Sequence, residues 1–540
     1  MLSKLKTGVA AAGTSAKVLA SAGVIRPYSP VTLARLGRTV LQWGTGPAGG
    51  FTSLAVRSPD GIGLVDELGA LTFGEMHARS NSLAHALRGL GVGEGDAVAI
   101  MCRNHRGFVD ASIAAAKLGA DSLYLNTAFA GPQLVEVLGR DKPTVLIYDE
   151  EFSELVGEAD VDVRIVAWTD SNVGRSGSGR EVPTLEELIE SRDPLDLAPP
   201  AKHGRTVILT SGTTGTPKGA PRSEAGIDAA VSLLGSIPMK YGWRTHIAAP
   251  LFHTWGFAHF ALSMLLGSTM VLKRRFDPEG CLEVVVGEKC ESIVVIPVML
   301  QRMLALPQAT QDRYDLGRVK VVASSGSALP GDLATTWMDQ FGDNLYSTYG
   351  STEVAYASIA GPAELRTAPD TAGRPPYATV VKILDDQGTE LPAGESGRIF
   401  VGNSLLFEGY TGGGHKEVVD GLMSSGDVGR YGEDGLLYVE GRDDEMIVSG
   451  GENVFPKEVE DCLARHEAVV EVAAIGVDDD DFGKRLQAFV VRKDDTVGED
   501  DLKAWVKQNL ARYKVPREIV FLDELPRNAT GKVLKRELAE

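Results

Sequence analysis

A chain of 540 residues exceeds the size at which one hydrophobic core keeps growing, so two or more domains are expected. With 43% hydrophobic residues the composition is that of a soluble globular protein, and no apolar run is long enough to span a bilayer. The formal net charge of −19 excludes the basic footprint of a general nucleic-acid binder, yet leaves anionic small ligands open, because loops and helix ends set the local field. Cys102, Cys281, Cys290 and Cys462 are scattered without CxxC spacing, which suits a reducing compartment and offers neither a zinc site nor a disulfide framework.

The chain starts without acid. No Asp or Glu precedes Asp60, whereas Lys4, Lys6, Lys17, Arg26, Arg35, Arg38 and Arg57 are basic. Leu33, Leu36, Val40 and Trp43 recur at helical spacing with Arg35 and Arg38 between them. Three readings stay open for residues 1–45: a helix packed on the main domain, a helix lying on a membrane surface, or a transit peptide. The Ala/Gly/Val-rich style of the chain suggests a bacterial protein and places transit last. The expected location is the cytoplasm, with peripheral contact at the inner face of the membrane left open.

From about residue 50, short apolar runs alternate with longer amphipathic stretches. Phe73 to Leu90 reads as a helix, and Ala97–Met101, Thr144–Tyr148 and Thr206–Leu209 read as buried strands. Ser171 to Arg180 reads as a polar loop, and Ser292–Ile296 and Val319–Ala323 as later strands. Such alternation implies α/β layers with largely parallel sheets. Past Gly373 the texture turns to short, turn-bounded strands at Val380–Leu384, Gly397–Val401 and Leu436–Val439, a small β-rich lobe. After Gly441-Arg442 comes an α+β pattern, with helices from Pro456 to His466 and Asp500 to Leu510 and strands at Val470–Val477 and Gln487–Val491. The expected division is an extension at 1–45, a large α/β domain at 46–441 and a small mobile domain at 442–540.

The chemistry-bearing segments begin directly after the strand at Thr206–Leu209. Thr210-Ser211-Gly212-Thr213-Thr214-Gly215-Thr216-Pro217-Lys218-Gly219 packs three glycines, five hydroxyls and one lysine into ten residues. Glycines bring backbone N–H groups close to a ligand, hydroxyls add donors, and Lys218 adds a mobile charge, so this reads as a polyphosphate loop. It is not a Walker A loop, since no Ser/Thr follows the lysine and the metal must be held elsewhere. Tyr346-Ser347-Thr348-Tyr349-Gly350-Ser351-Thr352-Glu353 combines an aromatic, a glycine, hydroxyls and a carboxylate. That set can stack a purine, contact a phosphate and hold Mg²⁺. In Ser425-Gly426-Asp427-Val428-Gly429 a carboxylate on a glycine-flanked turn is an acceptor for ribose hydroxyls, and Arg442 is a donor to the same sugar. Lys532, on the turn Thr530-Gly531-Lys532, is either a surface charge or a cation delivered to a site where two anions must meet.

In order and wording these segments resemble the signatures of adenylate-forming enzymes: acyl-CoA synthetases, luciferases and the adenylation domains of peptide synthetases. The resemblance covers roughly residues 50 to 540 and is most like a bacterial fatty-acyl-CoA synthetase. It implies that Thr210 to Gly215 and Lys218 hold the phosphates of ATP, that Tyr349 and Gly350 border adenine, that Thr352 reaches the α-phosphate and that Glu353 binds the metal. It implies that Asp427 and Arg442 hold the ribose, that the small domain swings on Asp444, and that Lys532 bridges the acyl carboxylate and α-phosphate. Ala249 to Phe257 resembles the segment lining the acyl pocket, with His253 near the carboxylate and Trp255 and Gly256 in its wall; a core histidine is the alternative for His253, and a solvated linker carboxylate for Asp444. Ser324 to Ala328 resembles the strand–loop that borders adenine and acid through Ser325, Gly326, Ser327 and Ala328. Ser449 to Asn453 resembles the loop at the pantetheine tunnel, with Gly450 and Gly451 facing CoA. The segment Ala220-Pro221-Arg222 departs from the usual wording.

The implied reaction joins a carboxylic acid to ATP as an acyl-adenylate, then to CoA, with Mg²⁺ as metal and AMP and pyrophosphate released. The chain ends soon after the lysine motif, which favours free CoA over a tethered carrier. A medium- to long-chain fatty acid is the expected substrate. An aryl acid, a separate carrier protein as acceptor, and a non-catalytic nucleotide-binding scaffold are the alternatives.

Overall fold

The computed structural model describes residues 13–129, 131–170, 182–209, 218–222, 227–411, 413–443, 447–449, 452–454, 456–479, 483–510, 514–528 and 531–539. The expected loop at Ser171 to Arg180 lies outside them.

Three helices come first: α1 (13–21), α2 (Pro30–Trp43) and α3 (Pro47–Arg57). The Ser29 hydroxyl caps α2 by accepting from the Thr32 N–H at 3.1 Å, and Pro30 takes the first helical position, where no donor is needed. Leu19 and Ala22 are buried in the main apolar cluster together with Phe51 and Leu54. Arg26 stacks on the Tyr241 ring at 4.1 Å, and the Tyr241 N–H donates to the Ala22 carbonyl at 2.8 Å. The described part of the N-terminal segment is therefore packed against the body of the protein. Its apolar stripe is split: Leu36 and Trp43 turn toward the body, while Leu33 and Val40 are 53% and 44% exposed.

Two sheets follow. One has eight strands in the order Ser358–Ala360, Leu345–Tyr349, Val321–Ser324, Ser292–Val295, Arg244–Ile247, Thr269–Val271, Ile62–Asp66 and Gly69–Thr72, parallel except at its two ends. The other has six, in the order Val163–Trp168, Val145–Asp149, Ala97–Met101, Asp121–Tyr124, Thr206–Leu209 and Gly219–Arg222. Runs such as Val98-Ala99-Ile100-Met101 are buried on both faces, as interior parallel strands must be. The helix Phe73–Gly89 starts at a reciprocal Thr72–Glu75 capping box, a signal already present in the sequence. Most strands expected from apolar runs occur within a residue or two of their predicted bounds, but the one expected at Gln487–Val491 begins four residues earlier, at Gly483, and the one expected at Leu436–Val439 runs on to Arg442.

A five-stranded, mainly antiparallel sheet comprises Val380–Leu384, Gly397–Gly402, Val418–Val419, Leu422–Tyr431 and Leu437–Arg442. The last sheet joins Ile447–Ser449, Glu452–Val454, Val469–Asp479, Gly483–Arg492 and Glu518–Phe521, packed by the helices Pro456–Ala464 and Glu499–Asn509 around an apolar cluster of its own. This is the expected fold class: α/β layers, a β-rich lobe and a small α+β unit. Gln301 reaches across from the eight-stranded layer to the Val470 carbonyl at 3.3 Å.

Candidate active site

A single cavity of about 2010 Å³ is lined by residues from all of these units. Its chemistry follows from how each side chain is held.

Tyr349 ends a strand of the eight-stranded sheet, and its hydroxyl donates to Asp427 Oδ2 at 2.5 Å and to Ser425 Oγ at 3.2 Å. Arg442 Nη1 lies 3.3 Å from Asp427 Oδ1. Backbone pairing sets this contact, because Asp427 and Arg442 are directly opposed across two antiparallel strands. Burial pushes the Asp427 carboxyl above its ordinary value, opposed by Arg442, by the Tyr349 hydrogen bond and by the charges of Lys532 and Lys416. Burial likewise holds Tyr349 protonated far above the usual phenol range. A Cβ on Gly350 would lie 2.2 Å from the Ala355 carbonyl oxygen, so only glycine fits the turn that follows Tyr349.

Glu353 sits on that turn. Its Oε2 accepts from Ser351 Oγ at 3.0 Å and its Oε1 from the Tyr410 hydroxyl at 2.7 Å. Lys218 Nζ stands 5.3 Å from the centroid of the Tyr410 ring, so Tyr410 lies between the lysine of the glycine-rich loop and the carboxylate. Leu209 and Gly219 are paired antiparallel, so a strand, and not the helix of a Walker loop, follows Lys218. Thr210, Ser211, Gly212, Thr213, Thr214 and Gly215 lie outside the described residues. Arg222, where the wording departs from the usual one, donates from Nε to the Leu405 carbonyl at 3.0 Å and from Nη2 to the Thr352 carbonyl. Burial pulls its guanidinium down to about 10, opposed by the nearby Glu353 carboxylate. Thr352 is thus tied through its backbone to the exit of the glycine-rich loop.

Another wall of the cavity is built on the helix Thr254–Leu266, which His253 precedes as the N-cap residue. Trp255 packs edge-on against His259 and donates to the Val295 carbonyl at 3.1 Å. Burial alone lowers His253 to about 3, so the ring is neutral; its Nε2 has no partner among the described residues, and neither do Thr254 Oγ1 and Thr348 Oγ1. All three residues line the cavity. A Cβ on Gly256 would fall 2.2 Å from the Pro250 carbonyl oxygen, so helix–loop packing demands this glycine independently of any ligand. Ser325 donates to the Thr348 carbonyl at 2.8 Å, and Gly326 adopts φ +97, carrying exposed Ser327 and Ala328 along the cavity rim.

The Lys532 N–H donates to Asn528 Oδ1 at 2.9 Å, and its neighbour Val533 forms a bridge with Arg527. Arg527 pairs with Glu471 at 3.1 Å. Lys532 lines the same cavity as Glu353, His253 and Asp427. Asp444, Gly450 and Gly451 lie outside the described residues; Asp443, just before the expected hinge, bonds through its N–H to the Gly426 carbonyl at 3.0 Å and through Oδ2 to Arg398 at 3.1 Å. Sequence reasoning missed Tyr410 and the bonds of Arg222. The run Gly409-Tyr410-Thr411, with Gly409 at φ +112, was the available signal for the first. Away from the cavity, Cys102, His105 and Asp149 form a buried cluster, but the described contacts give it a structural account: the His105 ring donates to Asp149 at 2.7 Å and accepts from the Gly107 N–H, and Asp149 also accepts from the Arg103 N–H.

Residues 51–411 match the AMP-binding enzyme family, and residues 458–532 match the AMP-binding enzyme C-terminal domain. The chain is 33% identical over 476 residues to a feruloyl-CoA synthase of Amycolatopsis sp., covering 87% of this chain and 93% of that protein. It is 29% identical over 482 residues to the long-chain-fatty-acid–CoA ligase FadD13 of Mycobacterium tuberculosis, with 87% and 93% covered. Among solved structures it resembles the anthranilate CoA ligase AuaEII in complex with anthranoyl-AMP, at a TM-score of 0.80 and 25% identity, over 91% of this chain and 96% of that one.

Proposed function

The chain belongs to the AMP-binding enzyme family, and we propose how its cavity carries out ATP-dependent ligation of a carboxylic acid to CoA and which acid it takes. ATP, the acid and CoA are the substrates. Glu353 suits Mg²⁺: it offers hard carboxylate oxygens in the cavity, each already oriented by one hydroxyl donor. Bound there, the metal supplies neutralisation of phosphate charge.

Asp427 and Arg442 hold the ribose, and Tyr349 fixes Asp427 while offering a ring to the base. Lys218 and the hydroxyls of residues 210–216 hold the phosphates. Lys532 brings a positive charge between the acid's carboxylate and the α-phosphate, lowering the repulsion as the acyl–phosphate bond forms and pyrophosphate leaves. The support for that role is that Lys532 lines the same cavity as Asp427 and Glu353 and that its charge favours the ionised Asp427 carboxyl. Neutral His253 contributes a hydrogen bond to the acid, not a charge. The thiol of CoA then attacks the adenylate carbonyl, the new C–S bond displacing AMP, after rotation about Asp444 exchanges Lys532 for the Gly450–Gly451 face.

For the acid, the favoured reading is a medium- to long-chain aliphatic chain. The observation that carries it is how much of the helix Thr254–Leu266 lines the cavity, with Ala258, Ala261 and Leu265 among the lining residues together with Trp43 and Pro47 of the N-terminal helices. A second reading, an aryl acid, is favoured by the feruloyl- and anthranilate-activating relatives and by the aromatic wall of Trp255 and Phe257. Acids of increasing chain length, assayed beside ferulate and anthranilate, separate the two. On the aliphatic reading kcat/KM rises with chain length, and Ala261→Trp removes long acids while sparing short ones. Highest kcat/KM with the aryl acids, unaffected by Ala261→Trp, overturns it.

A further inference from the structure

Helix α2 is amphipathic in the reverse sense for a helix packed on a protein. The side turned toward the body carries Thr32, Leu36, Thr39 and Trp43, of which only Thr39 is buried. Leu33 and Val40 on the adjoining flank and Leu41 on the far side are exposed, as is Val31 beyond them; Leu41 is 87% exposed and Val31 68%. Arg35 and Arg38 lie together along one edge of this exposed surface, on either side of Val31, and are also exposed. A water-facing helix ordinarily shows the opposite pattern, with its apolar stripe inward.

We propose that the outer face of α2 docks on an anionic lipid bilayer, so that an acid dissolved in the bilayer enters the cavity beside Trp43. Two observations select this occupant. The first is charge: within a chain of net charge −19, no Asp or Glu precedes Asp60, and Arg35 and Arg38 lie along one edge of the exposed surface as basic residues border the apolar face of an interfacial helix. The second is continuity: Trp43, Gly46, Pro47 and Ala48, at the α2–α3 corner, line the same cavity as His253 and Lys532. The exposed surface thus ends where the cavity begins. The docking surface does not depend on which acid is activated; only the delivery step rests on the aliphatic reading above.

The test uses full-length protein and vesicles of phosphatidylcholine, with and without phosphatidylglycerol, first with no acid present. Co-sedimentation is expected with the anionic vesicles and weakens as salt is raised. Arg35→Gln with Arg38→Gln lowers the partition coefficient on anionic vesicles by roughly 25-fold, at about fivefold per basic residue. Leu33→Ser with Leu41→Ser lowers it on both vesicle types, while turnover of a water-soluble short acid stays at the wild-type rate. With a long-chain acid supplied inside vesicles, turnover by either double variant falls in step with binding. Failure of long acids as substrates, with vesicle binding intact, overturns the aliphatic reading and leaves the docking surface standing. Wild-type protein that ignores anionic vesicles at low salt overturns the proposal. So does a concentration-dependent dimer, seen by light scattering and abolished by the leucine pair, because the face then belongs to a second copy.

Discussion

Gly531 lies so close to Val298 that a Cβ added to it would sit 2.4 Å from Val298 Cγ1. Its φ of +75 also lies in the left-handed region that disfavours other residues. The residue before the candidate catalytic lysine is therefore pressed onto the large layer that carries His253 and Ser325.

Gly531→Ala should prevent that seating and act as a partial Lys532 deletion. Acid-dependent pyrophosphate exchange should fall by about 100-fold or more in Lys532→Ala, in line with the loss of an electrostatic group acting in the transition state, and substantially in Gly531→Ala. Conversion of supplied acyl-adenylate to thioester should stay near wild type in both. Equal loss in the two half-reactions would remove Lys532 from the role given to it.

Tyr410 and Glu353 give a second prediction. Tyr410→Phe removes the donor to Glu353 Oε1 but keeps the ring beneath Lys218. A hydrogen bond to a charged group contributes about 1.5–3 kcal/mol, so adenylation should slow roughly 10- to 100-fold at limiting Mg²⁺ and recover partly at high Mg²⁺. An Mg²⁺ titration of pyrophosphate exchange reads this directly; an unchanged curve means the tyrosine does not orient the carboxylate.

Tyr349→Phe leaves Asp427 without its 2.5 Å donor while Arg442 remains. If Asp427 holds the ribose as proposed, the KM for ATP should rise by about 10-fold with the KM for acid unchanged. A matching rise for the acid would place Tyr349 in both subsites.

Much of this was legible in the sequence because it is local. Apolar runs such as Val98 to Met101 and Ser292 to Val295 can only be interior strands, and the Thr72–Glu75 box announces the helix after it. The opposition of Asp427 and Arg442 was foreseen as two motifs sharing one sugar, but the strand pairing that creates it was not. Arg222 shows the limit most clearly. Its partners, the carbonyls of Thr352 and Leu405, are more than a hundred residues away, and no spacing rule reaches that far. The direction of α2 was illegible for a related reason: Leu33, Leu36, Val40 and Trp43 form one stripe on a wheel, yet packing of Leu19 and Ala22 fixes the N-terminal helices so that the stripe is divided.

Three histidines contribute to the acid limb of stability. Burial lowers His246 to about 4, His253 to about 3 and His259 to about 4. In the unfolded chain each takes a proton below about pH 6.5, whereas the folded chain refuses it until pH 3–4. Stability is therefore intact above pH 6.5 and lost as pH falls toward the folded values. One unit below 6.5 the cost is about 1.4 kcal/mol per group, roughly 4 kcal/mol for the three. Urea midpoints should be equal at pH 8 and pH 7 and clearly lower at pH 5.5, with a shallower fall in His246→Asn; a flat profile down to pH 5 contradicts the buried, neutral assignment.

The central claim is that one cavity joins nucleotide, acid and Lys532 for adenylate chemistry ending on CoA. Its most direct test is product analysis of purified protein with ATP, Mg²⁺, CoA and a long-chain aliphatic acid, resolving AMP from ADP. AMP, pyrophosphate and acyl-CoA appearing in equal amounts, with acid-dependent pyrophosphate exchange before CoA is added, is the predicted result. ADP as product, or nucleotide turnover that ignores the acid, would contradict it.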